Sequence, residues 1–193
     1  MRDYARHRAP GPAASRLEGF TYLAAFAASV PVANWMVGHI GTSCTPNGPC
    51  VLPVAPGLTA PSGVLIVGIA LVLRDLVQRY LGAGWSIAAI LVGTCLSALL
   101  APPNLVAASA AAFLLSELTD FAVYTPLLRR GLLLAVAVSG VAGVFVDSVV
   151  FLHLAFGSLD YLPGQAIGKA WMIALALPVV AWLRRRDRTL SPA

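Results

Sequence analysis

The chain has 193 residues and a net charge of +5, with 59% hydrophobic and 11% charged residues and a mean hydropathy of +0.82. A soluble domain carries about a quarter charged residues, so this composition excludes an ordinary soluble fold and points to an integral membrane protein. The length suits one compact bundle without a separate soluble catalytic domain. The positive charge lies in short blocks between apolar runs rather than on one face, which argues against a nucleic-acid partner.

Six apolar runs follow in chain order, at about 17–41, 61–81, 84–101, 104–128, 131–157 and 163–183. Each is near the about 17–25 residues that span a hydrocarbon core as a helix. Breakers separate them: the Pro/Gly-rich stretch from Thr42 to Pro61, Gly82 and Gly84, Pro102-Pro103, Arg129-Arg130-Gly131, and Gly157 to Pro163. The expected fold is all-α, a single bundle of six transmembrane helices over 17–183 between basic tails at 1–16 and 184–193. The first run is too long for a signal-peptide core and is followed by five more, so it reads as a retained helix.

Orientation follows from the basic residues. Arg2, Arg6, Arg8 and Arg16 precede the first helix, Arg79 closes the second, Arg129 and Arg130 follow the fourth, and Arg184, Arg185, Arg186 and Arg188 follow the sixth. The first, third and fifth connections hold no Lys or Arg. Basic even connections and bare odd ones place both termini in the cytoplasm.

Within these runs stand Arg74, Asp75, Glu117, Asp120, Asp147 and Lys169. Each costs roughly 2.5–3.5 kcal/mol at the centre of a spanning helix. Such residues mark a polar path or binding site unless they serve each other as structural ion pairs. Arg74 and Asp75 project about 100° apart and are not expected to pair, whereas Asp75 and Arg79 share a face and suit a local ion pair. Glu117 and Asp120 share a face with Phe113 and Tyr124, aromatics that at helical spacing are more often packing than a stacking platform. Asp147 shares one with Ser139 and Gly143, small residues that let another helix approach or leave room for a ligand. Depth along the helices suggests two pairs, Asp147 with Lys169 and Arg74 with Asp120. Glu117 comes out nearest the midplane without a cation at its level, making it the first choice for ligand contact.

Other features are weaker. Cys44 and Cys50 fall in the first connection, where a disulfide and two free thiols both fit; Cys95 lies in the third helix. His7, His39 and His153 read as interfacial or packed imidazoles, and no cluster suggests a metal or cofactor. Gly164 to Lys169 superficially resembles a phosphate loop, but the spacing is one residue short and no Ser/Thr follows the lysine.

The ordered set of polar residues resembles the queuosine precursor transporter family, also called the vitamin uptake transporter family. The resemblance is carried by Val32-Ala33-Asn34, the segment from Arg74-Asp75 through Arg79 to Gly82, and Ser116-Glu117 with Asp120. It continues through Asp147-Ser148 with Phe151 and Ala155-Phe156, then Gly168-Lys169 with Pro178. It implies six spans in the bacterial cytoplasmic (inner) membrane and uptake of 7-cyano- or 7-aminomethyl-7-deazaguanine or a related base. It implies Asn34, Glu117, Asp120, Asp147 and Lys169 as substrate-binding positions, with Arg74, Asp75 and Arg79 as ion-pair or gating positions. The chemistry agrees, because the adjacent N–H donors of such a base suit one carboxylate. Its carbonyl needs donors such as Asn34, Lys169 or Gln165, and its ring a face such as Phe113, Tyr124, Phe151 or Trp171.

Three functions fit these features. The first is an uptake carrier, alone or as a homo-oligomer, whose partners are a small heterocycle and the lipid bilayer. The second is the substrate-binding subunit of a multi-component importer, for which Ala24 and Ala28 offer a small-residue docking face. The third is an intramembrane enzyme using Glu117, Asp120 and Asp147 as acids and bases. No nucleophile–base pair or metal cluster accompanies those acids, so a non-enzymatic role is expected.

Overall fold

The computed structural model describes residues 14–44 and 49–190. Six helices follow the apolar runs: α1 (Ala14–His39), α2 (Val64–Leu81), α3 (Ala83–Leu100), α4 (Val106–Leu127), α5 (Leu132–Phe156) and α6 (Leu162–Leu190). The breakers act where they stand. α5 stops at Gly157, whose φ of 65° is costly for residues with a Cβ and lets its N–H return to the His153 carbonyl. Gly82, at φ 95°, ends α2 in the same way on Gln78 and turns the chain into α3.

The expected all-α fold needs a correction in the first connection. β1 (Ser43–Cys44), β2 (Cys50–Ala55) and β3 (Leu58–Pro61) form an antiparallel sheet in the order β1-β2-β3. The Pro56-Gly57 turn joins the longer strands, with Gly57 at φ 73°. A disulfide joins Cys44 to Cys50 across the first strand pair. The sheet lies over the end of the bundle where α1 finishes and α2 and α6 begin. Ser62 donates to the Met36 carbonyl at 2.7 Å, and Gly164 packs directly on the Thr59 carbonyl, where a Cβ would collide.

Five helices are long and apolar enough to cross a membrane: α1, α3, α4, α5 and α6. α2 has 18 residues, but Arg74, Asp75 and Arg79 lie within them. Its environment accounts for those charges, since α2 packs against all five other helices while Arg74 and Asp75 are fully buried. Large apolar side chains cover the outside instead, among them Leu99, Val141 and Leu175, each more than 60% exposed. A surface of that kind is stable against lipid and not against water. The chain is thus a multi-pass membrane protein with its polarity turned inward.

Small residues bring α2 close to its neighbours. A Cβ on Gly68 would stand 2.7 Å from the Lys169 carbonyl oxygen, and one on Gly143 would stand 2.9 Å from Leu71 and 3.2 Å from Asp120. The glycines beside Asp147 therefore serve helix packing. The main apolar core lies between α2, α4, α5 and α6 around Leu71, Tyr124, Val136, Val144 and Ile173.

Candidate functional site

Two polar clusters stand inside the bundle, and a cavity lies against both. The first is centred on Arg74. Its Nε donates to Glu117 Oε2 at 3.3 Å and its Nη1 to Gln78 Oε1 at 2.8 Å. Nη2 lies 2.8 Å from Asp75 Oδ1 and 2.5 Å from Asp120 Oδ2, as charge contacts without hydrogen-bond alignment. Ser139 of α5 donates to Asp75 Oδ2 at 3.3 Å, and Gln78 Nε2 donates to Thr125 Oγ1 at 2.9 Å. The guanidinium also lies over the rings of Tyr124 and Phe121, at 5.5 and 5.9 Å. Three carboxylates from two helices share one cation, and removing that cation would leave them facing each other in a low dielectric.

The second cluster is centred on Lys169. Nζ donates to Asp147 Oδ2 at 2.5 Å, Ser148 Oγ at 2.9 Å and Gln165 Oε1 at 2.5 Å. These contacts lock α6 to α5 near the sheet.

The cavity occupies the half of the bundle nearest the sheet. It measures about 90 Å³, several times the about 10–15 Å³ that one water requires on the same measure. Asn34, Glu117, Asp147, Gln165 and Lys169 line it with Phe113 and Phe151. Pro61, Gly63 and Val64 close it on the sheet side, and the hydroxyls of Ser29, Ser97, Ser109 and Ser116 add polarity. Two acids, two amides and two aromatic rings around one buried space can hold a small flat molecule with several hydrogen-bonding groups.

Of the expected site residues, Asn34, Glu117, Asp147 and Lys169 are thus brought to one cavity. Asp120 and Asp75 both stand against Arg74 behind Glu117, outside the lining. Arg79 is elsewhere: it donates to Asp187 Oδ2 at 2.7 Å near the opposite end of the bundle. There Tyr80 also donates to Asp187, at 3.1 Å, and Arg186 pairs with Glu18 at 2.5 Å, tying α1, α2 and α6 together.

Several expectations change. Arg74 and Asp75 do pair, because a long arginine side chain curls back and cancels the offset between neighbouring Cβ atoms. Asp75 does not pair with Arg79, which α6 captures through Asp187. Glu117 does have a cation at its level, since Arg74 reaches it from the next helix. Trp171 is 56% exposed on the outer surface and Tyr124 is buried beneath Arg74, so neither forms a cavity wall. Asn34 directs one Nδ2 hydrogen to the Val30 carbonyl at 2.9 Å. His39 stacks on Trp35 and contacts its carbonyl, and His153 is exposed. His7, Arg2, Arg6 and Arg8 lie outside the described residues. Glu18 and Asp187 escaped the sequence reading because each stands beside a basic block, where an acid looks like ordinary surface charge.

A family model described as "Putative vitamin uptake transporter" matches residues 97–183. The likeness is to a membrane uptake transporter. It runs from the last turn of α3 through most of α6, and so includes Glu117, Asp120, Asp147 and Lys169 but not Asn34 or Arg74. No curated protein and no solved structure matches the chain.

Proposed function

We propose that the chain is an uptake carrier that admits a 7-deazaguanine precursor of queuosine through this cavity. In this reading α2 is a sixth span, both termini are cytoplasmic, and the membrane is the bacterial inner membrane. The observation that carries it is the cavity wall. A carboxylate, Glu117, stands on α4, while Asp147, Gln165 and Lys169 stand on α5 and α6, with Phe113 and Phe151 beside them.

The physical argument is one of complementarity. The ring N–H and exocyclic NH2 of a deazaguanine form a fork that one carboxylate accepts. Arg74 holds one oxygen of Glu117 by a single bond and orients the carboxylate without burying both acceptors. The aromatic side chains offer apolar surface to a flat ring. Basic connections at the end away from the sheet support an outer position for the cavity, so a substrate enters near the sheet and leaves past the Arg79–Asp187 end. The family likeness over α4 to α6 supports uptake, and the motifs around Asn34 and Arg74 support the deazaguanine class.

A second reading, the substrate-binding subunit of a multi-component importer, is favoured by one observation. Ala24 and Ala28 are both exposed, one turn apart on α1, and leave a small-residue face open to another membrane protein. The deciding experiment is uptake of labelled 7-cyano- and 7-aminomethyl-7-deazaguanine into cells unable to make the precursor, with and without this chain. Chain-dependent uptake is expected. No difference between the two strains would overturn the substrate assignment, and uptake only when ATPase subunits are co-expressed would favour the second reading.

A further inference from the structure

Lys169 stands on the cavity wall with nothing left to donate to a ligand. An ammonium group has three donors and no acceptor, and here all three are in use, on Asp147, Ser148 and Gln165. The contact with Gln165 fixes that amide. Because lysine only donates, the atom that meets it is the carbonyl Oε1, and the NH2 group points the other way. Gln165 is 2% exposed and lines the cavity. Nε2 has no hydrogen-bond partner among the described residues, yet it is not one of the fully enclosed unsatisfied atoms. The cavity that Gln165 lines is the open space beside this amide.

We infer that Gln165 Nε2 is the donor that receives a carbonyl oxygen of the substrate, and that Lys169 is a positioning residue that aims this amide without touching the ligand. The inference rests on the reading of the cavity as the substrate site. It assigns the binding contact to a residue on α6 one turn before the lysine. A buried Gln free to rotate would present oxygen or nitrogen indifferently, whereas one held by Lys169 presents only N–H and so selects an acceptor.

The test separates aim from stability. Three variants leave no carboxylate without its cation. Asp147→Asn leaves Gln165 on Lys169. Gln165→Glu with Asp147→Asn moves the carboxylate to α6 and removes the donor. Lys169→Met with Asp147→Asn removes the group that aims the amide. Binding of 7-cyano-7-deazaguanine is compared with binding of its analogue lacking the ring carbonyl oxygen. Wild type and Asp147→Asn are expected to prefer the carbonyl compound by about tenfold or more, and the two double variants by a ratio near one. A ratio unchanged in either double variant, in protein that melts normally, overturns the proposal. Melting without ligand supplies the second arm. Gln165→Glu with Asp147→Asn is expected to melt at or above Asp147→Asn alone, because the new carboxylate restores a counter-ion to Lys169 while its second oxygen faces open space; a fall of several degrees would mean that Nε2 meets a protein acceptor, and overturns it. If wild type binds neither compound, the substrate reading fails, and the melting comparison alone decides the aim of Gln165.

Discussion

Glu117 is held between a protein partner and an open space, and the two make different demands on its carboxylate. Arg74 needs one oxygen, but it also has Asp75 and Asp120, so loss of the Glu117 charge does not leave the guanidinium alone. Glu117→Gln is therefore expected to fold, while its NH2 turns a donor toward the donors of a guanine-like edge. Affinity for 7-cyano-7-deazaguanine should fall by about 1–3 kcal/mol, read by titration of the purified variant. Glu117→Leu should abolish binding; wild-type affinity there would move the site to Asp147. Lys169 and Asp147 form a simpler pair. Lys169→Met alone leaves a carboxylate without its cation and should cost about 3–5 kcal/mol. Adding Asp147→Asn should restore part of it, in thermal denaturation of detergent-purified protein. Losses that simply add would mean the two groups do not interact.

At the scale of elements, α2 decides how much can be read without a structure. The helix ends were legible because Gly82, Pro102-Pro103, Gly131 and Gly157 interrupt apolar runs of spanning length. That α2 carries three charges was legible too, and buried charge at such cost needs partners. The identity of the partners was only half legible. Depth along a helix ranks Cβ positions, whereas Arg74 works at the end of a long side chain and meets Asp75, Glu117 and Asp120 together. The sheet was missed for a different reason. Val51, Leu52 and Val54 sit among Pro53, Pro56 and Gly57, and a proline-rich stretch reads as a breaker when its strands are this short. Gly68 tests the packing that holds α2 in place. A Cβ there meets backbone of α6 at Lys169, which cannot yield as a side-chain tip would. Gly68→Ala should cost about 1–3 kcal/mol by overpacking and lower uptake by shifting Lys169. Gly84→Ala, with open space around it, should leave both melting temperature and uptake unchanged.

For the whole molecule, what matters is that the two ends are closed by different devices. Near the sheet the cavity is covered by Pro61, Gly63 and Val64, at the ends of short strands and a helix start. At the far end Arg79, Tyr80 and Asp187, with Arg186 and Glu18, bind α1, α2 and α6 through charges. Between them lie the Arg74 cluster and the link from Gln78 to Thr125. The proposed carrier cannot open both ends at once, so in this state its polar end is shut and its cavity lies toward the sheet. In the proposed orientation, with the basic connections cytoplasmic, the sheet faces outward. An Asn34→Cys variant in a Cys95→Ser background should then react faster with a membrane-impermeant thiol reagent in intact cells than in inside-out vesicles. Cys44 and Cys50 are bonded to each other and do not compete for the reagent. Substrate should slow the reaction, because Asn34 lines the cavity. Asp187→Asn removes the charge and one of the two oxygens that hold Arg79 and Tyr80, so it should raise the rate from the cytoplasmic side severalfold and lower it from outside. Faster labelling of Asn34→Cys in inside-out vesicles, with Asp187 intact, would reverse the assigned orientation and with it the direction of transport.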